Sequence, residues 1–269
     1  MKKIITLGNS VIDNYENLTK SFPGGNALNV AAQSKIFGAE KSSLISLIGD
    51  DVKGEKIEKR LKSLQVDISN LRKSQGKTSI VTIELDEHGD RQFLYWDKGV
   101  QDSLAVRISD KDVKHIENHD LMHTNSSDMF LAYIEKRNEK IDLSFDFSIE
   151  KDKELLKKLC PHLTFAFLSA NELSIKESEA LINEVHEYGA KYVIVTRGGE
   201  DALFSDKYKV YRKKIEHIKA VDTLGAGDTF ISAFLSHFNQ DTDHNYLLNK
   251  ATKAATEVCK RYGTFGSPL

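Results

Sequence analysis

Cysteine and proline are scarce in this sequence, which has two cysteines and three prolines among 269 residues. Cys160 and Cys259 lie far apart and give no basis for a disulfide framework, so we expect reduced thiols in a cytoplasmic protein. No run approaches the roughly 20 apolar residues of a membrane span. The apolar run behind Lys2-Lys3 is too short for a secretory signal. We therefore expect no membrane partner.

Neither sign of charge is in excess, because 38 Lys and Arg residues face 40 Asp and Glu residues. A balanced charge gives no sign of a nucleic-acid partner. Three catalytic motifs are also missing: the G-x-x-x-x-G-K-[ST] phosphate loop, the G-x-S-x-G nucleophile elbow and the H-E-x-x-H zinc pattern. Hydrophobic residues make up 40% of the chain, which is enough for a sizeable core.

Short apolar runs alternate with amphipathic segments along most of the chain. This alternation predicts a parallel, doubly wound α/β sheet. The predicted strands are Ile4–Leu7, Ser42–Ile48, Leu121–Thr124, Leu143–Phe147, Thr164–Leu168 and Tyr192–Thr196. The predicted helices are about 26–37, Val52–Leu64, Asp128–Arg137, Asp152–Leu159, Glu172–Tyr188, Asp228–Phe238 and Asn245–Tyr262.

One stretch departs from this alternation. Ser79–Leu85 and Arg91–Trp96 are strand-like and flank a turn at His88-Gly89-Asp90, which predicts a β-hairpin. With the segment after the first strand it could form a small sheet that acts as a lid and excludes water. No linker divides the chain, so we expect one domain over residues 1–269, with lid segments at about 12–22 and about 68–99. An exposed lid sheet could also pair two copies in a homodimer.

A glycine turn near the C-terminus is the predicted catalytic segment. Gly225 and Gly227 permit close approach of a ligand, and the helix that follows offers free N–H groups and the positive end of its dipole to an anion. Asp228 lies inside this turn, although a carboxylate repels a bound phosphate. Its presence there is explained if Asp228 accepts a proton from a group that attacks the phosphate. The alternative is that Asp228 only caps the helix.

Near the N-terminus, polar side chains are placed to hold a polyol. Asp13 follows the first predicted strand at its carboxyl end, where open α/β sheets bind ligands. Asn26 and Asn29 are three apart in the first turn of the next helix, and their amides match neutral hydroxyl groups. The alternatives are a loop carboxylate for Asp13 and a helix cap for Asn26.

Two motifs in this order resemble the signatures of one family. Asp222-Thr223-Leu224-Gly225-Ala226-Gly227-Asp228 resembles the C-terminal signature of the ribokinase-like (PfkB) sugar kinases. Gly24-Gly25-Asn26-Ala27-Leu28-Asn29-Val30-Ala31 resembles their N-terminal signature. The resemblance implies a ribokinase-like three-layer α/β/α fold with a mostly parallel sheet and a small β-sheet lid. It also implies transfer of the γ-phosphate of MgATP to a primary hydroxyl of a sugar.

The resemblance assigns roles residue by residue. Asp228 is implied to orient or deprotonate the attacking hydroxyl, and the backbone N–H groups of Gly225, Ala226 and Gly227 to stabilise the transferred phosphoryl group. The implied sugar-binding residues are Asp13, Gly25, Asn26 and Asn29. The implied nucleotide-binding residues are Thr196, Gly198, Thr223 and Gly225.

This chain departs from the family pattern at two positions. Asp201 stands where the nucleotide loop usually has a second glycine, and Ser174 stands where a glutamate near the magnesium is usual. Glu172, Glu177 or water could replace the latter, so no protein ligand of the magnesium is assigned. Carbonyl groups near Ala220 and Asp222 could bind a potassium ion, as in some relatives.

Within the family, the chain is most similar to members that phosphorylate fructoselysine. The shared segments are Gly8–Asp13, Phe22–Ala31 and Phe145-Asp146-Phe147-Ser148. This resemblance implies a fructosamine substrate, phosphorylated at its 6-hydroxyl. A plain ketose, ribose or a nucleoside stays open as substrate. So do a non-catalytic sugar-sensing protein of the same fold and a nicotinamide-dependent oxidoreductase, although Phe230 occupies the third glycine position of the dinucleotide fingerprint.

Overall fold

The computed structural model describes residues 2–103, 107–126, 131–134 and 140–269. Its strands are β1 (Lys3–Leu7), β2 (Val11–Tyr15), β3 (Lys20–Gly24), β4 (Lys41–Gly49), β5 (Leu71–Ser74), β6 (Ile80–Leu85), β7 (Arg91–Asp97), β8 (Leu121–Asn125), β9 (Asp142–Asp146), β10 (Phe165–Ser169), β11 (Tyr192–Thr196), β12 (Asp201–Ser205) and β13 (Val210–Lys214). Its α-helices are α1 (Asn26–Ile36), α2 (Val52–Ser63), α3 (Val100–Ser103), α4 (Asp110–Ile116), α5 (Leu131–Ile134), α6 (Lys153–Leu159), α7 (Ile175–Glu187), α8 (Ala226–His237) and α9 (His244–Val258).

The large sheet has nine strands in the order β13-β12-β11-β10-β9-β8-β1-β4-β5. From β11 to β5 the strands run parallel, as the alternation of strands and helices predicted. The carboxyl ends of these parallel strands therefore lie along one edge, where α/β sheets bind ligands. At the far side, β12 and β13 extend the sheet in antiparallel orientation.

Helices cover both faces of the large sheet. Ile4 of β1 belongs to a buried cluster with Val30 of α1 and Phe234 of α8. Ile5, the next residue, belongs to a second cluster with Ile182 of α7. Successive side chains of a strand point to opposite faces, so the two clusters are the two interfaces of a three-layer α/β/α arrangement.

A second, smaller sheet has four strands in the order β3-β2-β6-β7. It joins the segment after β1 to the predicted hairpin, as expected for the lid. The predicted second lid segment of about 68–99 is too long, because Leu71–Ser74 pairs in parallel with β4 in the large sheet. This pairing follows from chain order: a strand that leaves a helix packed on the sheet returns parallel to its neighbour. The small sheet takes its second pair of strands only from Ile80 onward.

Other elements differ from prediction in extent. The last helix ends at Val258 rather than at about Tyr262. Of the predicted helix Asp128–Arg137, only Leu131–Ile134 lies within the described residues, and it is helical. Both cysteines are free thiols, as expected. Within the described ranges, no helix has the length and apolar character needed to cross a membrane.

Candidate active site

The predicted sugar-binding and catalytic residues meet at the carboxyl edge of the large sheet. β1 ends there at Leu7 and β9 at Asp146, and the N-termini of α1 and α8 lie beside them. The side chains of Asn26 and Asp228, although 202 residues apart, are in direct contact. The fold thus brings the two glycine-containing segments into one site.

Two glycines in these segments adopt backbone conformations that other residues rarely take. Gly225, the N-cap of α8, has φ of +77°, and an added Cβ would lie 2.0 Å from Thr264 Oγ1. Gly25, the N-cap of α1, has φ of +98°, and an added Cβ would lie 2.7 Å from the Asn9 carbonyl oxygen. Glycine is therefore required at both positions, to let the chain turn sharply into each helix.

Asp228 is not a helix cap. Its Oδ1 accepts a hydrogen bond from Asn26 Nδ2 at 2.8 Å, and its Oδ2 accepts one from Asn29 Nδ2 at 2.7 Å. The capping alternatives for Asp228 and Asn26 are therefore wrong: glycines occupy both N-cap positions, and the two side chains bond to each other. Two amide donors fix the plane of the carboxylate and leave one lone pair on each oxygen for a ligand.

The backbone N–H groups of the glycine turn are not all equally available. The Ala226 N–H donates to the Thr223 carbonyl oxygen at 3.3 Å. Gly227 and Asp228 lie in the first turn of α8, where a helix leaves N–H groups without intrahelical acceptors. Apart from its chain neighbours and its own helix backbone, a Cβ added to Gly227 would meet no atom of the described residues within 4 Å, so open space adjoins the turn. The turn can therefore accept an anion at this point.

Asp146 and His123 are site residues whose contacts the sequence did not predict. Asn26 Nδ2 also donates to Asp146 Oδ2 at 2.9 Å, so one amide links two carboxylates. His123, fully buried, lies 3.1 Å by its Nε2 from Asn26 Oδ1 and 2.9 Å by its Nδ1 from Ser144 Oγ. Burial lowers the pKa of His123 to about 3, so the ring is neutral. Because Nε2 faces a carbonyl oxygen, we assign the proton to Nε2, which holds the NH₂ group of Asn26 toward the two acids.

Three carboxylates crowd this site, and each is held away from its ordinary ionisation. Burial and the nearby Asp228 and Asp222 raise the pKa of Asp13 to about 7. Burial and Asp228 likewise raise the pKa of Asp146 to about 7. Burial raises the pKa of Asp228 as well, although its two amide donors oppose the shift. The guanidinium of Arg91, on the first residue of β7, partly offsets the charge on Asp13 and Asp228.

The small sheet is attached to the segment that leads into the glycine turn. Buried Asp222 accepts hydrogen bonds from Tyr15 Oη of β2 at 2.6 Å, from the Gly263 N–H at 2.9 Å and from the Leu224 N–H at 2.9 Å. At the tip of the β6–β7 hairpin, the Thr223 N–H donates to the Gly89 carbonyl oxygen at 3.0 Å. The Thr223 hydroxyl donates to Asp90 Oδ1 at 2.9 Å. Movement of the small sheet would therefore be transmitted to the predicted phosphate site.

Thr196 and Gly198, two of the predicted nucleotide-binding residues, lie at the carboxyl end of β11, apart from the predicted sugar-binding residues. This strand is four positions from β1 in the sheet, a separation of roughly 19 Å at about 4.8 Å per strand. Asp201, where the family pattern has glycine, is buried and pairs with Arg197 Nη1 and Arg212 Nη2, each at 3.0 Å. Asp201 therefore anchors the loop between β11 and β12 instead of facing a ligand.

Ser174, where the family pattern has glutamate, caps α7. Its hydroxyl accepts from the Glu177 N–H, and Glu177 Oε2 accepts from the Ser174 N–H at 2.8 Å. Glu172 pairs with Lys151 at 2.8 Å, which lowers the pKa of its carboxyl group. Both glutamates that could replace the missing magnesium ligand are thus engaged elsewhere. In the described parts of the chain, no group of three or more His, Cys, Asp and Glu side chains could hold a metal ion.

Comparison with known proteins defines the class of protein. Residues 5–268 match the family described as pfkB family carbohydrate kinase, and the chain belongs to this family. It is therefore a phosphotransferase that acts on a sugar hydroxyl, and its glycine turn is a kinase motif rather than a dinucleotide fingerprint. This confirms the family and the enzyme class expected from the two signatures.

Among curated proteins, the chain is 38% identical over 265 residues to the fructosamine kinase FrlD of Bacillus subtilis (strain 168), covering 98% of this chain and 93% of that protein. It is 32% identical over 274 residues to the fructoselysine 6-kinase of Escherichia coli (strain K12), covering 98% of this chain and all of that protein. The solved structure of Arabidopsis thaliana ribokinase complexed with ribose and ATP matches with a TM-score of 0.80 at 18% identity, over 97% of this chain and 94% of that one. The ribokinase of Thermotoga maritima matches with a TM-score of 0.79 at 19% identity, over 98% and 95%. The ribokinase-like fold is thereby confirmed.

Proposed function

We propose that this carbohydrate kinase transfers the γ-phosphate of MgATP to the 6-hydroxyl of a fructosamine, with fructoselysine as the first candidate. The relatives named for fructosamine and fructoselysine support this substrate through their coverage of nearly the whole chain. The site itself adds support. Asp13, Asp146 and Asp228 are buried close together where the proposal puts the sugar, and a fructosamine carries an ammonium group that such a cluster attracts.

The observation that carries the catalytic proposal is the position of Asp228, held by Asn26 and Asn29 beside the glycine turn. Asp228 accepts the proton of the 6-hydroxyl while that oxygen forms a bond to the γ-phosphorus. The bond from this phosphorus to the bridging oxygen breaks, and ADP leaves with the electron pair. A raised pKa makes Asp228 a stronger base than an ordinary aspartate. The N–H groups of Gly227 and Asp228, with Gly225 and Ala226 around them, stabilise the charge on the transferred group.

The remaining ligands are placed around this centre. In the proposal, Asp13, Asn26 and Asn29 hold the sugar hydroxyls, with Gly25 giving them access. The buried Oδ1 of Asn29 has no hydrogen-bond partner among the described residues and can accept a hydrogen bond from a hydroxyl. The nucleotide lies between two predicted segments, Thr196–Gly198 and Thr223–Gly225. Magnesium arrives on the ATP phosphates and keeps several waters, so it needs few protein ligands.

A potassium ion bound by carbonyl groups near Ala220 and Asp222 is part of the proposal. Replacing K⁺ by Na⁺ in the assay should then lower kcat, and an unchanged kcat would count against the ion.

We also propose a homodimer through the lid, in the cytoplasm. Leu94 and Tyr95 of the edge strand β7 are 51% and 67% exposed, and an unpaired edge with apolar side chains is suited to a second copy. Leu94→Asp should lower the mass measured by light scattering from dimer to monomer.

The experiment that tests the function is a substrate panel. The purified protein is incubated with MgATP and fructoselysine, other fructosamines, fructose, ribose or adenosine, and ADP release and product mass are followed. Phosphate on a fructosamine, with little on the rest, is the expected result. Turnover of another sugar would keep the carbohydrate kinase and discard this substrate. Ligand binding without any turnover would favour the sugar-sensing alternative.

Asp228→Asn tests the role of the base. We expect kcat to fall by about 10²–10⁴-fold, because proton transfer from the hydroxyl is lost. The matched control is Asp241→Asn, which removes the same charge from an exposed position beyond the C-terminus of α8, at the opposite end of this helix from Asp228. The role is falsified if Asp228→Asn keeps the kcat of the unmutated protein while it stays folded.

A further inference from the structure

The strand register of the small sheet places two aromatic side chains on the same face as Asp13. Asp13 of β2 is opposite Val81 of β6, and Val81 is opposite Trp96 of β7. In the same way Ile83 is opposite Phe93. Directly opposed residues point to the same face of a sheet. Trp96 and Phe93 therefore extend the face that carries Asp13 out to the edge strand.

This face is covered near β2 but open at β7. Val81 and Ile83 pack toward the body of the protein, and Ile83 is fully buried. Trp96 is 48% exposed and Phe93 is 65% exposed, although they lie on the same side of the sheet. The edge strand thus overhangs open space beside the sugar position. The indole is held in place there, because Trp96 Nε1 donates to Ser79 Oγ at 2.9 Å.

Charges of both signs lie next to the indole. A hollow of about 300 Å³ is lined by Tyr95, Trp96, Asp97, Lys98, Gly99 and Asp102. The Lys98 ammonium is 5.2 Å from the centroid of the Trp96 ring and 4.0 Å from Asp102 Oδ1. Asp97 is less available, because its Oδ1 accepts from the Gly99 N–H at 3.0 Å. The hollow thus offers an apolar wall, one cation and one anion.

The distance from Asp13 to this hollow matches the length of an extended substrate. Trp96 is two strand positions from Asp13, or about 10 Å at about 4.8 Å per strand. A sugar ring held at Asp13 fills roughly half of that distance. A group attached to C1 of the sugar would then reach the hollow.

We propose that Trp96, Lys98 and Asp102 form a subsite for the amino acid carried on C1 of a fructosamine. The indole packs against the alkyl chain, Lys98 binds the α-carboxylate and Asp102 binds the α-ammonium. The inference rests on the proposed function and adds to it the residues that would select a sugar joined to a free amino acid over one joined to a simple amine.

Two substrates separate the subsite from the sugar site: fructoselysine, and 1-amino-1-deoxyfructose, which has the same sugar and C1 amine but no amino acid. In Trp96→Ala we expect kcat/KM for fructoselysine to fall about tenfold, mainly through KM, because the contact is remote from the reacting atoms. For 1-amino-1-deoxyfructose it should change by about twofold at most. Lys98→Gln and Asp102→Asn should show the same selectivity. Tyr208→Ala, which removes an exposed aromatic ring elsewhere, should leave both substrates unchanged.

Two measurements guard against a merely structural effect of Trp96→Ala. Trp96→Phe keeps an aromatic wall and should keep most of the preference for fructoselysine. In the unmutated protein, Trp96 is the only tryptophan, so its fluorescence reports directly on the subsite. Fructoselysine should shift or quench the emission, and 1-amino-1-deoxyfructose should not.

The outcomes distinguish the two claims. If the unmutated protein phosphorylates both fructosamines equally well, or Trp96→Ala slows both equally, the proposed function stands and the subsite is overturned. An emission that responds identically to both substrates also overturns the subsite. If the protein phosphorylates ribose or fructose but neither fructosamine, the proposed substrate and the subsite fall together.

Discussion

Replacing Asp13 by Asn should stabilise the ligand-free protein and weaken sugar phosphorylation at the same time. Asp13 is only 6% exposed, and the nearby carboxylates of Asp228 and Asp222 disfavour its negative charge. Burial and these neighbours raise the pKa of Asp13 to about 7, against 3.8 for an ordinary aspartate. Asparagine has nearly the same shape and no charge, so it removes the cost of ionising a buried group.

The sign of the pH dependence follows from proton binding. Between about pH 4 and pH 7 the unfolded chain has released the Asp13 proton and the folded protein still holds it. The unfolded state then binds fewer protons, so the free energy of unfolding decreases as the pH rises through this window. A difference of about three pKa units corresponds to at most about 4 kcal/mol at pH 8 and about 2 kcal/mol at pH 5. Because water entry and relaxation reduce such costs, we expect Asp13→Asn to gain about 2 kcal/mol at pH 8 and about 1 kcal/mol at pH 5.

Urea denaturation at pH 5 and pH 8, followed by circular dichroism, measures this gain. The exposed substitution Asp241→Asn serves as the control, and its effect should be small and independent of pH. In the kinase assay, kcat/KM of Asp13→Asn should fall at least about tenfold, because the carboxylate that accepts sugar hydroxyls is gone. A gain that is equal at the two pH values, or a loss at pH 8, would refute the electrostatic argument. A stable and fully active variant would show that Asp13 does not hold the sugar.

Three further substitutions test the framework of the site. Gly225→Ala should lower the free energy of unfolding, measured by urea denaturation, by about 2 kcal/mol or more, since its φ of +77° disfavours a side chain. Gly227→Ala should not lower it, because the added Cβ would meet no other described element within 4 Å. Equal losses of stability in the two variants would contradict this. Thr223→Val removes the hydrogen bond to Asp90 and should speed amide exchange at the hairpin tip about fivefold; unchanged exchange would show that the tip is held otherwise. Asp201→Asn should lower stability by about 2 kcal/mol, because it leaves a mostly buried arginine without its partner, and an unchanged melting temperature would rule out an anchoring role.

Most of the large sheet could be predicted from sequence because its strands are buried on both faces and appear as short apolar runs between helices. Three strands of this sheet were missed: Leu71–Ser74 at one edge, and the antiparallel pair Asp201–Ser205 and Val210–Lys214 at the other. Leu71–Ser74 contains one apolar residue, and Val210–Lys214 ends in three cationic residues that favour solvent. Their strand conformation comes from pairing with β4 and β12, which is a tertiary interaction and leaves little trace in the local sequence.

In the site, the positions of the motif residues could be predicted, but their partners could not. Asn26 and Asn29 were expected to bind the sugar, but their hydrogen bonds to Asp228, which the structure shows, were not predicted. His123 is a single histidine within a buried strand, without a spacing that marks it. It reaches Asn26 because β8 lies directly between β1 and β9, and strand order is fixed by the whole fold.

The direction of the pKa shift of Asp228 likewise could not be predicted from the local sequence. A carboxylate in the first turn of a helix is expected to have a lowered pKa, because the helix dipole and free N–H groups stabilise its charge. Two amide donors act in the same direction. Burial nevertheless raises the pKa of Asp228 overall, because the folded chain encloses this carboxyl group at the edge of the sheet. The sequence contains the residues of a base, and the tertiary structure supplies the environment that makes one of them basic.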